Sequence, residues 1–337
     1  MRTPTFLLIC LIVAAAVFGI SVAVGNDYVF FAGYVVVQYV VLSTAWNILG
    51  GYCGYVNFGT AAFFALGAYS TVAIYNFTTG DNPSPIPIPV LMLVGGVVSG
   101  VVGLGMGYLT LRLRGAFFSI ATLALAVVLE TLVVNWDYVG GSRGAYVIRP
   151  EQIAPIGSYI RYLFLIMMLL AVAAIAIARL IEHSRLGYGF ATIRDDELAA
   201  EASGVPTLRL KLIATTISGA LMGMAGAPFP YYISYLQPDS TFGLDYAVNS
   251  IAMPLIGGTT SWVGPLIGTL LLGTVQQVIT VTISSAVNLL IVGLLLVFFV
   301  IAAPNGIVGL VHKYWQRKPD DFVGRRHVET DAPGAVP

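Results

Sequence analysis

The sequence predicts an all-α protein that crosses a membrane many times. Of its 337 residues, 58% are hydrophobic and 9% are charged, whereas soluble domains carry about 25% charged residues. The mean hydropathy is +0.87. The apolar residues form continuous runs, such as residues 163–178, rather than the alternating segments of about ten residues that build a membrane β-barrel. These observations favour a bundle of membrane-spanning helices.

The apolar runs predict about ten transmembrane or re-entrant helices. The eighth run is too short to cross about 30 Å of hydrocarbon at about 1.5 Å per residue, unless it is kinked or re-entrant. Small residues at four-residue spacing, such as Gly219 and Gly223, predict helices that approach closely. The predicted spans are residues 5–25, 29–48, 59–77, 87–111, 116–135, 159–181, 210–232, 246–258, 263–283 and 286–303.

The Lys and Arg residues predict the orientation of these spans, because cytoplasmic loops are enriched in both. With the N-terminus in the cytoplasm and alternating spans, 13 of the 16 Lys and Arg residues lie on the cytoplasmic side. Arg143, Arg149 and Arg161 then lie outside. The opposite orientation would invert this bias. The polar tail, residues 313–337, and the charged loop, residues 182–211, are therefore both predicted to be cytoplasmic.

The charged loop lies between predicted spans six and seven and interrupts an otherwise apolar chain. The sequence predicts a short helix over residues 195–204, with Asp195 and Asp196 in its first turn and Gly204 at its end. Such a helix is more than a connection between spans requires, so we expect the loop to bind a partner outside the membrane. The alternative is a solvated connection. Five charged residues of the loop fall within eight positions: Arg194, Asp195, Asp196, Glu197 and Glu201.

The sequence contains no recognisable catalytic or metal-binding motif. None of the three lysines follows a glycine as in a P-loop, and the three histidines are not at ligand spacing. Cys10 and Cys53 lie in or beside apolar segments, which favours packing over a disulfide. The sequence therefore predicts a chain that is not an enzyme and holds no cofactor or metal. An intramembrane hydrolase is the alternative, without a motif to support it.

Two polar residues are candidates for a substrate path. Asn57 belongs to the Gly-rich segment 50–59, which is expected to interrupt the helix between spans two and three. Such a break either lines a cavity or forms a packed turn. Glu130 lies about 22 Å above the inner end of its helix, where it either reaches the outer headgroups or contacts a substrate. One Glu without a basic partner gives little support to an ion-coupled secondary transporter.

Several motifs of the chain match one family in order. The charged loop contains SRLGYGFATIRDDE over residues 184–197, and AAEASG follows over residues 199–204. The other motifs include GYCGYVNFG at 51–59, RLRGAFF at 112–118 and Gly264-Pro265. Over about residues 40–310, the chain resembles the permease subunits of bacterial branched-chain amino-acid ABC importers. The resemblance is to the LivM-like member of the pair of permease subunits in such an importer.

The resemblance implies a transmembrane permease domain over residues 1–312, with residues 313–337 as a cytoplasmic tail. The chain would lie in a bacterial inner membrane with both termini cytoplasmic. It would form half of the translocation path for leucine, isoleucine and valine. The implied partners are a homologous second permease subunit, two ATP-binding cassette ATPase subunits that bind ATP, and a periplasmic or extracellular substrate-binding protein. That binding protein would dock on the outer loops, around residues 136–157 and 234–246.

The resemblance also implies that the charged loop couples the permease to the ATPase subunits. Its charges would set register and partner choice, while Leu198 and Ala202 would supply apolar contact. The same architecture also suits an importer of urea, short amides or other amino acids, and a secondary transporter is a further alternative. The residues predicted to couple are Arg194, Asp195, Asp196, Glu197, Leu198, Glu201 and Gly204.

Overall fold

The apolar runs of the sequence form long helices that pack side by side. The structure is a computed structural model that describes residues 3–78, 86–148, 152–153, 157–282, 285–302 and 306–310. The predicted tail, residues 313–337, lies outside the described residues. In chain order the helices are α1 (Thr3–Val24), α2 (Asp27–Gly50), α3 (Thr60–Thr78), α4 (Ile88–Thr110), α5 (Ala116–Val134), α6 (Tyr159–Glu182), α7 (Arg185–Asp195), α8 (Glu197–Ala202), α9 (Thr207–Gly226), α10 (Phe229–Ile233), α11 (Pro238–Thr241), α12 (Leu244–Gly257), α13 (Val263–Thr282) and α14 (Ser285–Ala302).

Nine predicted spans each coincide with one helix whose ends lie within a few residues of the prediction, and the seventh, residues 210–232, coincides with α9 followed by α10. Within the described residues, seven helices are long and apolar enough to cross a membrane: α1, α2, α4, α5, α6, α9 continued through α10, and α13. The other three predicted spans correspond to α3, α12 and α14, which are not among these seven. The all-α membrane architecture is therefore supported, whereas the count of about ten spans is not confirmed.

The centre of the bundle is built where α4 and α9 cross beside α3. Small residues permit this close packing, because a Cβ on Gly219 of α9 would lie 3.2 Å from the backbone oxygen of Ser99 in α4. The hydroxyl of Ser99 donates a hydrogen bond of 2.9 Å to the carbonyl of Phe63 in α3. The close helix packing predicted from four-residue spacing is confirmed here.

The connections that the structure describes gather at two ends of the bundle. We call the end that carries residues 51–59, 111–114 and 182–211 the loop end. At the opposite end, β1 (Ala145–Tyr146) pairs with β4 (Tyr235–Leu236), and β2 (Gln152–Ile153) pairs with β3 (Gly157–Ser158). The two predicted outer loops, residues 136–157 and 234–246, therefore meet through the pairing of β1 with β4.

The helix predicted over residues 195–204 is wrong at its start. The chain forms two helices instead, with α7 ending at Asp195 and α8 beginning at Glu197. Asp195 closes α7 rather than opening a helix. Asp196 is the N-cap of α8, and its carboxylate accepts a hydrogen bond of 3.0 Å from the backbone N–H of Ala199. This bond satisfies a donor that a helix N-terminus otherwise leaves unpaired.

The start of α7 and the end of α8 both have identifiable caps. Ser184 begins α7, because its hydroxyl oxygen accepts hydrogen bonds from the N–H groups of Leu186 and Gly187. Gly204 ends the second helix with a φ of 82°, a conformation that glycine adopts without steric cost. The N–H groups of Gly204 and Val205 donate to the carbonyls of Glu201 and Ala200. The predicted end at Gly204 is confirmed.

Candidate functional site

The predicted interruption between spans two and three is present at the loop end. Helix α2 ends at Gly50 and α3 begins at Thr60. We call residues 51–59 the break. Its backbone is held by neighbouring helices: Trp46 Nε1 of α2 donates to the carbonyl of Asn57 at 2.9 Å, and Ser119 of α5 donates to the carbonyl of Val56 at 2.8 Å. The break is therefore packed between α2 and α5.

Asn57 is buried within the break, with 1% of its surface exposed. Its side-chain oxygen accepts a hydrogen bond of 2.7 Å from the N–H of Gly59. A short polar side chain that bonds the backbone two residues on stabilises a turn. In this conformation Asn57 holds the break together, and its place on a substrate path stays a prediction.

A lysine is buried directly against the break. Lys211, in the second turn of α9, is 2% exposed. Its ammonium group donates hydrogen bonds to Glu197 Oε1 at 2.6 Å, to the carbonyl of Leu111 at 3.0 Å and to the hydroxyl of Tyr55 at 3.1 Å. These contacts match the three N–H donors of a lysine. Full pairing of this kind is the condition under which a buried charge is tolerated.

Glu197 is the acidic partner of this lysine. Its second carboxylate oxygen accepts a hydrogen bond from the hydroxyl of Tyr55, and Arg114 Nε lies 3.8 Å from its first. Burial raises the pKa of the Glu197 carboxyl, but the hydrogen bonds from Lys211 and Tyr55 and the positive charges of Lys211 and Arg114 outweigh burial. The pKa of Glu197 therefore lies below its ordinary value, and the carboxylate is charged at neutral pH.

The hydroxyl of Tyr55 stays protonated, because burial and the adjacent Glu197 raise its pKa. It donates to Glu197 and accepts from Lys211. We call Tyr55, Glu197 and Lys211 the clasp. The clasp joins three segments that are distant in sequence: the break, α8 and α9.

Glu201 adds a second attachment one turn further along α8. Its carboxylate accepts hydrogen bonds from Arg114 at 2.9 Å and from the hydroxyl of Thr207 at 2.8 Å. Arg114 and Glu201 are both about half exposed, so this pair is weaker than the clasp. Two of the predicted coupling residues, Glu197 and Glu201, are thus turned towards the bundle.

The remaining predicted coupling residues lie nearer the surface. Leu198 is 63% exposed, and the side chain of Asp195 is 74% exposed. Arg194 donates to Asp195 and to the carbonyl of Gly51, each at 3.4 Å. The structure therefore separates the predicted set into an inner group, Glu197 and Glu201, that holds α8 to the bundle, and an exposed outer group. The outer group is Arg194, Asp195, Asp196 and Leu198.

Glu130 is not brought close to Asn57. It follows the buried residues Phe118, Thr122 and Ala126 at four-residue spacing on α5 and is itself half-buried. Thr122 contacts the break through the N–H of Phe58 at 3.2 Å. Glu130 lies eight residues further along the helix, which is about 12 Å at 1.5 Å per residue. The two candidate path residues therefore lie at different depths, and the role of Glu130 stays a prediction.

Comparison with known proteins identifies the family. Residues 28–300 match the family described as branched-chain amino acid transport system, permease component. The chain belongs to this family. The permease is 24% identical over 313 residues to the high-affinity branched-chain amino acid transport system permease protein LivM of Salmonella typhimurium, a match that covers 86% of this chain and 72% of that protein. LivM of Escherichia coli is 25% identical over 295 residues, or 80% of this chain and 67% of its own.

A relative that is named for a different cargo also matches. The L-arabinose ABC transporter permease protein AraH of Azospirillum brasilense is 26% identical over 195 residues, which is 56% of each chain. No solved structure matches the chain. The resemblance inferred from the motifs is confirmed, and the relatives are transport permeases rather than enzymes.

Sequence reasoning missed the side chains of this permease that hold the loop. These are Tyr55, Arg114, Thr207 and Lys211. One signal was available for Lys211, because it stands between Leu210 and Leu212 at the start of an apolar run. An ammonium group in such a run needs a buried acceptor, but the sequence does not say which carboxylate supplies it.

Proposed function

We propose that this permease is one of two membrane-spanning subunits of an ABC importer for leucine, isoleucine and valine. These amino acids are zwitterions, and charged groups cross hydrocarbon only at high free-energy cost. A path between this chain and a homologous subunit would lower that cost. Two partner ATPase subunits would bind and hydrolyse ATP. The two LivM relatives, which match most of the chain, support this cargo.

The folded form of the charged loop carries the proposal. Residues 185–202 form two capped helices, and α8 is held to the bundle by Glu197 and Glu201. Leu198, between these two glutamates, is exposed. A helix that is fixed to the bundle and exposes a leucine beside charged residues is suited to docking into a groove of another protein. We propose that the outer group, Arg194, Asp195, Asp196 and Leu198, contacts the ATPase.

The opposite end of the bundle suits a binding protein that delivers substrate. β1 and β4 join the two segments predicted to form the outer surface, and Val147 N–H donates to the carbonyl of Ser234 at 2.9 Å. Tyr146 in β1 and Ile148 just after it are largely exposed. In this arrangement the loop end faces the cytoplasm, as the distribution of Lys and Arg predicts.

A second cargo is tested beside the amino acids, because the arabinose permease is similar in sequence to this chain over 195 residues. A sugar has hydroxyl groups where an amino acid has opposite charges, so the two cargoes need different path-lining residues. Urea and short amides are neutral as well. The coupling machinery at the loop end is compatible with each of these cargoes.

Reconstitution of the complete importer tests the proposed function. The permease, its homologous subunit, the ATPases and the binding protein are placed in liposomes, and ATP hydrolysis is measured with leucine, isoleucine, valine, urea and arabinose. We expect stimulation by the three branched-chain amino acids. Stimulation by urea or arabinose alone would support the proposed importer and contradict the proposed amino-acid cargo. Absence of a complex, or uptake that survives ATP depletion but not loss of an ion gradient, would contradict the importer.

Leu198→Glu is expected to weaken capture of the ATPases by at least about tenfold, because it places a charge where the proposed interface needs apolar contact. The measurement is the amount of ATPase that copurifies with the permease in mild detergent. Leu113→Glu is the matched control, since Leu113 is also exposed at the loop end but lies outside α7 and α8. Equal copurification with both variants would remove Leu198 from the docking surface.

A further inference from the structure

The clasp connects the proposed docking helix directly to the break. Glu197 precedes the exposed Leu198 in α8, and Tyr55 lies in the break two residues before Asn57. Glu197 contacts Tyr55 directly, and Lys211 contacts both. A displacement of α8 therefore reaches the break through a single layer of side chains.

The hydrogen bonds of the clasp hold its three side chains in a fixed geometry. Each involves an ionised group, and charge-assisted hydrogen bonds are shorter and stronger than neutral ones. The Lys211 ammonium also lies 4.7 Å from the centre of the Tyr55 ring, within the range of a cation–π contact. Removal of two charges from water makes a buried ion pair a poor source of stability. The more direct consequence of these bonds is that they hold α8 in one position relative to the break.

The break is hydrogen-bonded to two long helices, α2 and α5, so its position affects theirs. Its carbonyls accept hydrogen bonds from Trp46 of α2 and Ser119 of α5, and its Phe58 N–H donates to Thr122 of α5. Helix α5 has few buried residues, and several of its large side chains, among them Phe117 and Ile120, are exposed. Because α5 is held by few neighbours within this chain, a shift of the break can tilt α5 without repacking the centre of the bundle.

We propose that the clasp is the coupling joint of this permease, with Tyr55, Glu197 and Lys211 as positioning residues that make the break and α5 follow the movement of α8. This inference rests on the proposed function, and it adds to that function the route by which ATP hydrolysis reaches the membrane-spanning helices. The clasp residues act from inside the bundle and do not themselves contact the ATPase.

Tyr55→Phe is the sharpest test, because it removes one hydroxyl and keeps the ring that packs edge-on against Phe118 at 5.0 Å. Tyr52→Phe is the matched control. Tyr52 is a buried tyrosine of the same break, and its hydroxyl donates to Glu182 at the end of α6, at 3.2 Å. The two variants lose a tyrosine–glutamate hydrogen bond from the same segment, but only Tyr55 contacts α8.

The measurement is substrate-stimulated ATP hydrolysis and uptake by the reconstituted importer, with copurified ATPase as the measure of assembly. For Tyr55→Phe we expect assembly and the half-maximal substrate concentration to be unchanged, while the maximal stimulation falls at least about fivefold, the lower range of a coupling between sites. Tyr52→Phe is expected to keep stimulation within about twofold of the unmodified chain, since it leaves every bond of the clasp in place.

Three results would overturn the inference. Equal stimulation by Tyr55→Phe and the unmodified chain would show that the clasp does not couple. Equal loss in Tyr55→Phe and Tyr52→Phe would show that any attachment of the break suffices. Loss of ATPase copurification in Tyr55→Phe would show that the clasp serves assembly instead. If the unmodified chain itself assembles with no ATPase, the proposed function fails, and the coupling joint fails with it.

Discussion

Gly67→Ala is expected to lower the free energy of unfolding by at least about 2 kcal/mol, although alanine ordinarily favours a helix over glycine. Gly67 of α3 faces Gly223 of α9, and a Cβ built on Gly67 would overlap the backbone carbonyl of Gly223. Because the obstacle is backbone rather than a side chain, no rotamer change relieves it. The two helices would have to separate, and the contacts of α4 with both would loosen. The measurement is the thermal unfolding midpoint in mild detergent.

Gly105→Ala is the control for this prediction. Gly105 lies within α4, and a Cβ built there would meet nothing within 4 Å. The gain in helix propensity then acts alone, so we expect a stability unchanged or raised by up to about 1 kcal/mol. If the two variants unfold at the same temperature, the close crossing of α3 and α9 does not limit the stability of the bundle.

The long helices were predictable from sequence because hydropathy depends on the residues within each run. The break at 51–59 was predictable for a similar reason, since glycines mark a local loss of helical structure. The end of α8 at Gly204 followed from the left-handed backbone that glycine permits. Each of these features is encoded within a few consecutive residues.

The clasp was not predictable, because its members are distant in the chain. Tyr55 and Lys211 are 156 residues apart, and nothing in the local sequence of either names the other. Helix α7 was missed for a different reason. Its Gly187 and Gly189 argue against a helix by propensity, yet a Cβ on Gly187 would overlap the carbonyl of Ile181 at the end of α6. Tertiary packing therefore requires a glycine where propensity disfavours one.

The separation of the loop into an inner and an outer group also depended on structure. Glu197 and Leu198 are adjacent in the sequence, and the sequence does not indicate which of them contacts a partner. Only the fold shows that Glu197 points to Lys211 while Leu198 is exposed. The sequence therefore singled out the charged loop but could not show which of its residues face the bundle and which face outwards.

Lys211→Met is expected to lower the free energy of unfolding by about 3 kcal/mol at neutral pH, because removal of one partner leaves Glu197 as a poorly paired, mostly buried charge. Methionine has a similar length, so the loss reflects charge more than volume. Arg209→Met is the control, since Arg209 is an exposed cation on the same helix. Its effect is expected to stay within about 0.5 kcal/mol.

Lys211→Met combined with Glu197→Gln separates charge from packing. The double variant carries no buried charge at this position, and replacement of a whole buried ion pair is often close to neutral. We therefore expect it to recover most of the stability that the single variant loses. If the single and double variants are equally destabilised, Lys211 acts through packing or through its bond to Leu111 rather than through Glu197.

The pH dependence of these variants gives the same argument a second observable. The pKa of Glu197 is lowered in the folded chain, so its contribution to stability is present above the ordinary glutamate pKa of about 4.3 and is lost as the pH falls through the lower folded pKa. In Lys211→Met both lowering contributions of Lys211 are gone while those of Tyr55 and Arg114 remain, so burial has more weight and favours the protonated carboxyl. The stability difference between the unmodified chain and Lys211→Met should therefore shrink as the pH is lowered from 7 towards 4. A difference that stays constant over this range would show that Glu197 does not depend on Lys211 for its charge.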